Sequence, residues 1–565
     1  MKKYVLLLAC VLGSGSLWAQ TLPKWAGKAK KAVFSVITYD KDNKILNTGN
    51  GFYIDEKGTA VSDFSLFKDA NHAVVVTADG KELPVTLILG ANDIYDVIKF
   101  RTQVNKKSSA ILPAAQTPKK GETVYVLPYS TQKETTGRTG TISNLDSIAN
   151  NSFYYTLNMK TGDKTVSCPL VNGQGEVVGL IQKNSDSESE ESYALGIGFA
   201  SALSINAMSG SDSNLNTIGI KKGLPDDESQ ALVMLYLMST KSEEAEYFGL
   251  LNDFVEKFPN SAEGYLRRAT FYMSKNDEAS IKPAEADIKK MFEVSTKPGE
   301  SHYNLAKLLY NYNIGLGGKQ ALGDWTYDRA LMEINEALAT AKEGLYYQTA
   351  GDILFAQAKY AEAANAFSEV SKSKLVSAAS YYSEAKAREM IEGSDKKQLV
   401  ALMDSAIALY NPPYGTDAAP YLYERGRFKS AAGDHRGAVI DFNTFHDAML
   451  GQVTADFYAI RADEEMACHM NQQAVDDMNK ATELAPENVE LWTQKSGILI
   501  RLNQQEAAVG ALNKAISLNP NDAGLYRMLG FCQIRLKQKK EGLANLKKAK
   551  EMGDTIADQL IQKYK

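Results

Sequence analysis

The sequence predicts a chain of two structural classes, an N-terminal all-β barrel or sandwich and a C-terminal all-α array of helical repeats. From about residue 30 to 208, short runs of β-branched and aromatic residues alternate with turn residues. From residue 228 onward the hydrophobic period changes from two to 3.6, and small residues recur 34 positions apart. Between these parts, 209–227 is rich in Ser, Gly and Asp and is predicted to be a linker.

Length and composition are those of an ordinary multidomain soluble protein. The 565 residues exceed what one hydrophobic core can hold. Hydrophobic residues make up 44% of the chain and charged residues 23%. The net charge of −5 is small for this size, so it indicates neither a nucleic acid nor an anionic membrane as a partner.

The N-terminus has the pattern of a signal peptide covering residues 1–19. Lys2 and Lys3 precede the apolar run Tyr4–Leu12, and Ala19 is a small residue suited to cleavage before Gln20. We expect export, first to the periplasm, with secretion or another cell-envelope site as alternatives. A lipoprotein site at Cys10 is a weaker alternative. No other apolar run is long enough to span a membrane.

Three cysteines remain after signal cleavage, and their number is odd. Cys168, Cys468 and Cys532 are widely spaced and form no paired motif. The sequence therefore predicts buried free thiols rather than a disulfide framework.

Ten strands are predicted in the N-terminal part, with turns at Asn50-Gly51, Asp79-Gly80 and Asn172-Gly173. The predicted strands are Ala32–Tyr39, Gly51–Ile54, His72–Thr77, Pro84–Leu89, Val97–Phe100, Glu122–Leu127, Gly140–Ser143, Phe153–Asn158, Pro169–Val171 and Val177–Gln182.

Five segments resemble, in order, the trypsin-like HtrA/Deg serine proteases. They are GNGFYIDEKGTAVSDFSLF from Gly49, GANDIYDVIKF from Gly90, GETVYVLPYS from Gly121, PLVNGQGEVVGLI from Pro169 and GIGFA from Gly196. The resemblance implies a chymotrypsin-like double β-barrel over residues 30–208, closed by a strand at GIGFA. It also implies where the catalytic residues of the family would fall.

Two of the three triad positions are occupied by residues that cannot do the chemistry. The His position falls on Ser65, the Asp position on Asp96 and the nucleophile position on Val166. Serine does not titrate near neutral pH, and valine cannot form an acyl-enzyme. The oxyanion glycines are replaced by Lys164, Ser167 and Cys168. We therefore expect a pseudoprotease in which Asp96 is a buried or turn carboxylate.

A rearranged hydrolase site is the alternative. A register slip would present Ser167 or Cys168 as nucleophile and His72 as base, giving a serine-type or Ser/Cys peptidase of the cell envelope. His72 lies seven residues beyond the expected position, where the sequence favours a half-exposed strand residue. For Cys168, next to Pro169, it favours a small buried side chain.

The acidic segment Asn184–Ser192 lies between two predicted strands. In the resembled fold this loop borders the pocket for the residue before the scissile bond, so a surviving groove would favour basic peptides. A solvated loop is the other interpretation.

The C-terminal part resembles an array of about eight or nine tetratricopeptide repeats over residues 228–565. Small residues, prolines and large aromatic residues each recur 34 positions apart near the C-terminus. These sets are Ala474, Ala508 and Gly542; Ala481, Ala515 and Ala549; Pro486 and Pro520; and Tyr458, Trp492 and Tyr526. Upstream, Gly426, Ala438 and Phe442 continue the pattern, as do Gly351, Ala363 and Phe367.

The resemblances together predict an exported, non-catalytic scaffold. The concave face of the repeat array would bind a protein or peptide, and its many tyrosines are either recognition anchors or packing residues. No cofactor motif is present, and the dispersed His302, His435, His446 and His469 have no metal-ligand spacing. A purely structural envelope assembly factor, whose barrel binds nothing, is a third hypothesis.

Overall fold

The computed structural model describes residues 22–104, 107–132, 136–148, 152–186 and 188–564. The predicted signal peptide, 1–19, and Cys10 lie outside these residues. The chain divides into two compact units after Phe271.

Twelve strands form two closed antiparallel barrels of six strands each in the first unit. The first barrel has the strand order β1-β2-β3-β6-β5-β4 and the second β10-β11-β12-β9-β8-β7. The predicted double barrel is therefore confirmed. The strands are β1 (Val33–Tyr39), β2 (Ile45–Tyr53), β3 (Thr59–Ser62), β4 (His72–Val76), β5 (Glu82–Asn92), β6 (Val97–Thr102), β7 (Thr123–Val126), β8 (Arg138–Ile148), β9 (Ser152–Asn158), β10 (Pro169–Val171), β11 (Val177–Ile181) and β12 (Ser192–Gly196).

All ten predicted strands are present, and two further strands were missed. β3 is only four residues long and buried throughout, so it lacks the alternation that marks a strand in sequence. The prediction of a closing strand at GIGFA is wrong, because β12 ends at Gly196 and a helix begins at Ile197. A Cβ atom at Gly196 would lie 2.6 Å from the Phe153 carbonyl oxygen, so this glycine allows close strand contact rather than continuing the strand.

Each barrel has its own apolar interior. In the first barrel, Phe34 and Phe100 are fully buried with ring centroids 6.2 Å apart. In the second, Val124, Leu157 and Leu170 form the centre of a cluster that includes Cys168. Alternate residues of β6 point out of the first barrel, which leaves Lys99 and Arg101 half-buried on its outer surface.

Residues 209–227, predicted as a linker, are joined to the first barrel by backbone hydrogen bonds. Gly219 N–H donates to the Ala70 carbonyl over 2.7 Å, and Gly223 N–H to the Ile88 carbonyl over 2.8 Å. Ile88 N–H in turn donates to the Lys221 carbonyl over 2.8 Å. The segment therefore runs along β5 before the helical region begins.

Three short helices belong to the barrel part and nineteen follow it within the described residues. The short ones are α1 (Ala26–Ala29), α2 (Ile197–Ala202) and α3 (Ser213–Asn216). The others are α4 (Glu228–Met238), α5 (Glu244–Lys257), α6 (Ala262–Ser274), α7 (Glu278–Val294), α8 (Pro298–Gly315), α9 (Tyr327–Thr340), α10 (Gly344–Ala356), α11 (Tyr360–Ser371), α12 (Ala378–Glu389), α13 (Lys396–Ile407), α14 (Ala419–Ala431), α15 (His435–Ala448), α16 (Ala455–Ala467), α17 (Asn471–Leu484), α18 (Val489–Arg501), α19 (Gln505–Leu518), α20 (Ala523–Arg535), α21 (Lys539–Glu551) and α22 (Thr555–Tyr564).

The helices near the C-terminus repeat every 34 residues. α16, α18 and α20 begin at positions 455, 489 and 523, and α17, α19 and α21 begin at 471, 505 and 539. The recurring small residues Ala474, Ala508, Ala481, Ala515 and Ala549 are all fully buried. The all-helical prediction for this region is confirmed. No helix within the described ranges has both the length and the apolar content that a membrane span needs.

Candidate functional site

The nucleophile position lies in a loop of the second barrel that faces the first barrel. A short 3₁₀ helix, Asp163–Thr165, leads to Val166, and β10 begins three residues later. Val166 N–H donates to the Asp163 carbonyl over 3.2 Å. In serine proteases the N–H of the nucleophile residue helps to hold the oxyanion. In this chain the Val166 N–H instead donates a hydrogen bond within its own turn.

Ser65 and Asp96, which occupy the His and Asp positions, are in direct contact. The Ser65 backbone N–H donates to Asp96 Oδ1 over 2.6 Å, and its hydroxyl donates to Oδ2 over 2.9 Å. Asp96 lies in the turn between β5 and β6 with φ of 43°, in the left-handed region. Both carboxylate oxygens of Asp96 therefore accept hydrogen bonds from Ser65, the residue predicted at the position of the base.

A second carboxylate, Asp63, lies beneath the loop and was not predicted from sequence. The Ser167 hydroxyl donates a hydrogen bond to Asp63 Oδ1, and Asp63 and Ser167 are both buried. Burial raises the pKa of Asp63 to about 7, and nearby Asp96 adds to this, while the Ser167 hydrogen bond and Lys183 oppose it. In the sequence, the feature that could have indicated Asp63 is an acidic residue directly after the short strand β3.

Asn50 of β2 makes two more hydrogen bonds to the same loop. Its Nδ2 donates to the Lys164 carbonyl over 3.2 Å and to the Val166 carbonyl over 3.0 Å. Together, Asn50 and Asp63 join the loop Lys164–Cys168 of the second barrel to β2 and β3 of the first. The loop thus connects the two barrels, and we call Asn50, Asp63 and Lys164–Cys168 the inter-barrel clasp.

The family comparison agrees with the two barrels. A family model described as "Trypsin-like peptidase domain" matches residues 49–180. This part of the chain is a trypsin-like peptidase domain. The matched region includes all three triad positions, Ser65, Asp96 and Val166. No curated protein matches the chain.

His72 of the trypsin-like domain lies on β4, where it pairs with Tyr39 of β1. Its ring stacks on that of Tyr39, with centroids 4.7 Å apart and planes within 5°. Within the described residues His72 makes no hydrogen bond to Ser167 or Cys168. The structure does not bring the rearranged base and nucleophile into a hydrogen-bonded pair.

Cys168 is fully buried in the core of the second barrel. Burial raises the pKa of its thiol to about 12, which leaves almost no thiolate at neutral pH. Its Sγ lies 3.9 Å from the Lys164 carbonyl oxygen. The Cys168 thiol therefore has the chemical character of a packed apolar side chain.

The other two cysteines differ from each other. Cys532 is buried among helices near the C-terminus, as predicted, and burial raises the pKa of its thiol to about 11. Cys468 is half-exposed, so the prediction of a buried thiol is wrong there. Cys468 directly follows α16, where the end of the helix leaves its side chain partly open to solvent. All three thiols are free.

The acidic segment Asn184–Ser192 joins β11 to β12, as predicted, with residue 187 outside the described residues. The side chains of Glu188 and Glu190 are almost fully exposed. Lys160 Nζ approaches both, at 3.9 and 3.8 Å. One basic side chain of the domain already faces this loop.

Several of the remaining sequence candidates contact other side chains within the helical region, whereas His469 is exposed. His302 and His435 lie 2.6 and 2.8 Å from Glu333 and Glu464. Among the tyrosines, Tyr303 stacks on Tyr346 with centroids 5.1 Å apart. The described residues contain no group of His, Cys, Asp or Glu that could hold a metal ion.

Proposed function

We propose that this protein is an exported, non-catalytic scaffold in which the trypsin-like domain is a structural or binding module and the helical region binds a protein partner. The observation that carries the proposal is the use of triad positions for contacts incompatible with catalysis. Ser65 is bonded to Asp96 where an imidazole would be needed.

Loss of the nucleophile supports the same conclusion. The Val166 side chain has no hydroxyl, and its N–H is taken by Asp163. Ser167 is fully buried and donates its hydroxyl to Asp63. Cys168 has neither solvent access nor a lowered pKa. Each rearranged nucleophile is therefore buried and, within the described residues, is not hydrogen-bonded to His72, the base that the rearrangement would need.

The helical region is proposed to be a tetratricopeptide repeat array. The 34-residue spacing of helix starts supports this, as does the contact between helices at small residues. A Cβ atom at Gly351 would lie 2.5 Å from Phe367 Cε1, and one at Gly426 would lie 2.7 Å from Phe442 Cε1. Each glycine admits an aromatic ring 16 positions further along, as expected where the paired helices of a repeat cross closely.

An apolar groove between α14, α15 and α16 is the proposed contact site for the partner. It has a volume of about 480 Å³ and is lined by Tyr423, Phe445, Met449, Val453, Phe457 and Ile460. Asp456 lies on its edge and is exposed. These side chains favour an apolar anchor that is followed by a basic residue.

Two experiments test the proposal. The full chain should not be labelled by a fluorophosphonate probe, and casein should remain intact after prolonged incubation. Digestion that is lost in Asp96→Ala would favour the peptidase alternative. Crosslinking with mass spectrometry in the native envelope should recover partner peptides attached to the helical region.

A matched pair of variants tests the groove. Ile460, 38% exposed, lines the groove, whereas Ile440, 58% exposed, is not among its lining residues. Ile460→Arg should abolish partner crosslinks and Ile440→Arg should preserve them. Equal crosslinking by both variants would remove the groove from the proposal.

A further inference from the structure

A cavity of about 830 Å³ lies on the outer surface of the first barrel, away from the inter-barrel clasp. Its walls come from β5, β6, the end of α2, the segment 221–226 and α5. The volume is within the range of small-molecule sites in proteins, roughly 300–1,000 Å³. Nothing in the proposed scaffold function uses this cavity.

Two neighbouring cations on β6, Lys99 and Arg101, have no carboxylate partner within the described residues. They are two positions apart and so lie on one face of the strand. Lys99 Nζ donates to the Ser201 carbonyl over 2.7 Å, which leaves two of its three N–H groups for other acceptors. Arg101 has only a long contact, 3.5 Å, from Nη2 to Thr59 Oγ1, and its buried Nε has no acceptor.

The two other cations that line the cavity are in ion pairs. Lys221 pairs with Asp253, and Lys257 pairs with Asp226 over 2.7 Å. Asp55 accepts the backbone N–H groups of Lys57 and Thr59 over 2.8 and 2.9 Å. Glu256 is exposed at the edge. Four cations and four carboxylates line the cavity, and among the described residues Lys99 and Arg101 are the two of these cations that form no ion pair.

Part of the remaining wall is apolar. Leu87 and Leu89 of β5 and Leu203 after α2 are half-buried and line the cavity. A ligand that fits these surfaces has a negative group at the two cations and an apolar body against the leucines.

We propose that this cavity binds an amphipathic small molecule through a carboxylate or phosphate group held by Lys99 and Arg101. An oxyanion there supplies the acceptors that the two cations lack, in a partly buried position where charge-assisted hydrogen bonds are strong. Burial lowers the pKa of Lys99, with Arg101 contributing and Asp226 and Asp55 opposing. A bound anion would raise it again.

Calorimetric titration of the full chain with four eight-carbon probes tests this proposal. Octanoate and octyl phosphate, below their micelle concentrations, share the anionic group and should bind at one site per chain. Octanol and octylammonium have the same apolar body and should show no saturable binding. Failure of both anions to bind, or equal binding by octanol, overturns the proposal.

Variants locate the site. Lys99→Met and Arg101→Met should each weaken binding by about tenfold or more, and Arg101→Lys by less, because it keeps the charge. Lys120→Met, at an exposed lysine outside the cavity, is the control and should bind like the unmodified chain. Unchanged affinity in both methionine variants overturns the assignment.

Salt dependence gives a test that needs no variant. Raising NaCl from about 50 to 500 mM should weaken octanoate binding several-fold, because the contact is ionic. Salt-independent affinity would contradict an ionic contact. The proposal stands apart from the scaffold function, since loss of anion binding would leave partner crosslinks at the helical groove unchanged.

Discussion

Ser65 donates both its backbone N–H and its hydroxyl to the carboxylate of Asp96, over 2.6 and 2.9 Å. In the resembled enzymes an aspartate at this position orients the imidazole of the base. In this chain the carboxylate of Asp96 accepts hydrogen bonds from a serine, whose side chain does not titrate near neutral pH.

Restoring the two missing side chains should not restore catalysis. The double variant Ser65→His/Val166→Ser should stay unlabelled by a fluorophosphonate probe, because the Val166 N–H remains bonded to Asp163 and no oxyanion donor is released. An active serine protease treated in parallel provides the positive control. Labelling at position 166 of the double variant would show that the two side chains are sufficient to restore a reactive serine.

Asp63 should make the trypsin-like domain less stable as the pH rises from about 4 to 7. Burial raises its pKa to about 7 in the folded chain, against an ordinary value of 3.8. The folded state therefore keeps a proton that the unfolded state has released, so this contribution is full below about pH 4 and is lost above about pH 7. Its size is on the order of 4 kcal/mol from about 1.4 kcal/mol per pKa unit.

Hydrogen exchange followed by mass spectrometry measures this effect. Peptides covering Asp63 and Ser167 should lose protection between about pH 4 and 7, after correction for the intrinsic exchange rate. Asp63→Asn mimics the protonated carboxyl and should flatten that dependence. The same slope in both proteins would assign the pH effect to another group.

The clasp should depend on Asn50. Asn50→Ala removes two hydrogen bonds to the carbonyls of Lys164 and Val166 and should reduce local stability by about 1–3 kcal/mol. Asn47→Ala, on the same strand, removes one exposed hydrogen bond to the Leu66 carbonyl and should cost less. Exchange rates in the loop Lys164–Cys168 report the difference, and equal rates in the two variants would argue against a clasp.

A methyl group at Gly426 should destabilise the helical region. Its Cβ would lie 2.7 Å from the Phe442 ring, so the ring has to move, at a cost of about 1–3 kcal/mol. Gly497→Ala is the matched control, because nothing lies within 4 Å of its added Cβ, and it should stabilise α18 by up to about 1 kcal/mol. Thermal unfolding of both variants measures the contrast, and equal shifts would contradict close helix contact at Gly426.

The three cysteines should differ in the reactivity of their thiols. In the native chain a maleimide should modify half-exposed Cys468, whereas buried Cys168 and Cys532 should react only after unfolding. Peptide mapping of the labelled protein identifies the sites. Rapid native labelling of Cys168 would reopen the question of a cysteine nucleophile.

Much of the fold could be predicted from local patterns. Strand periodicity between residues 30 and 208 located ten strands, and the 34-residue recurrence of small residues located the helices near the C-terminus. These predictions succeed because a buried face repeats with the period of its own secondary structure. β3 was not predicted for the same reason, because a strand that is buried on both faces shows no alternation of apolar and polar residues.

The candidate site was only partly predictable. Ser65, Asp96 and Val166 could be assigned by position, but their contacts could not. Asp63 and Ser167 are 104 residues apart in sequence and meet only because two barrels pack face to face. Nothing in the residues around Asp63 indicates that a hydroxyl from the other barrel will reach it.

The sequence by itself determined the two structural classes and the 34-residue spacing near the C-terminus, because each depends on residue type or local spacing. Only the tertiary structure decided that the loop Lys164–Cys168 is held by Asn50 and Asp63, and that Lys99 and Arg101 line a cavity and form no ion pair among the described residues. Those outcomes depend on contacts between segments far apart in the chain, and the closure of each barrel fixes which segments meet.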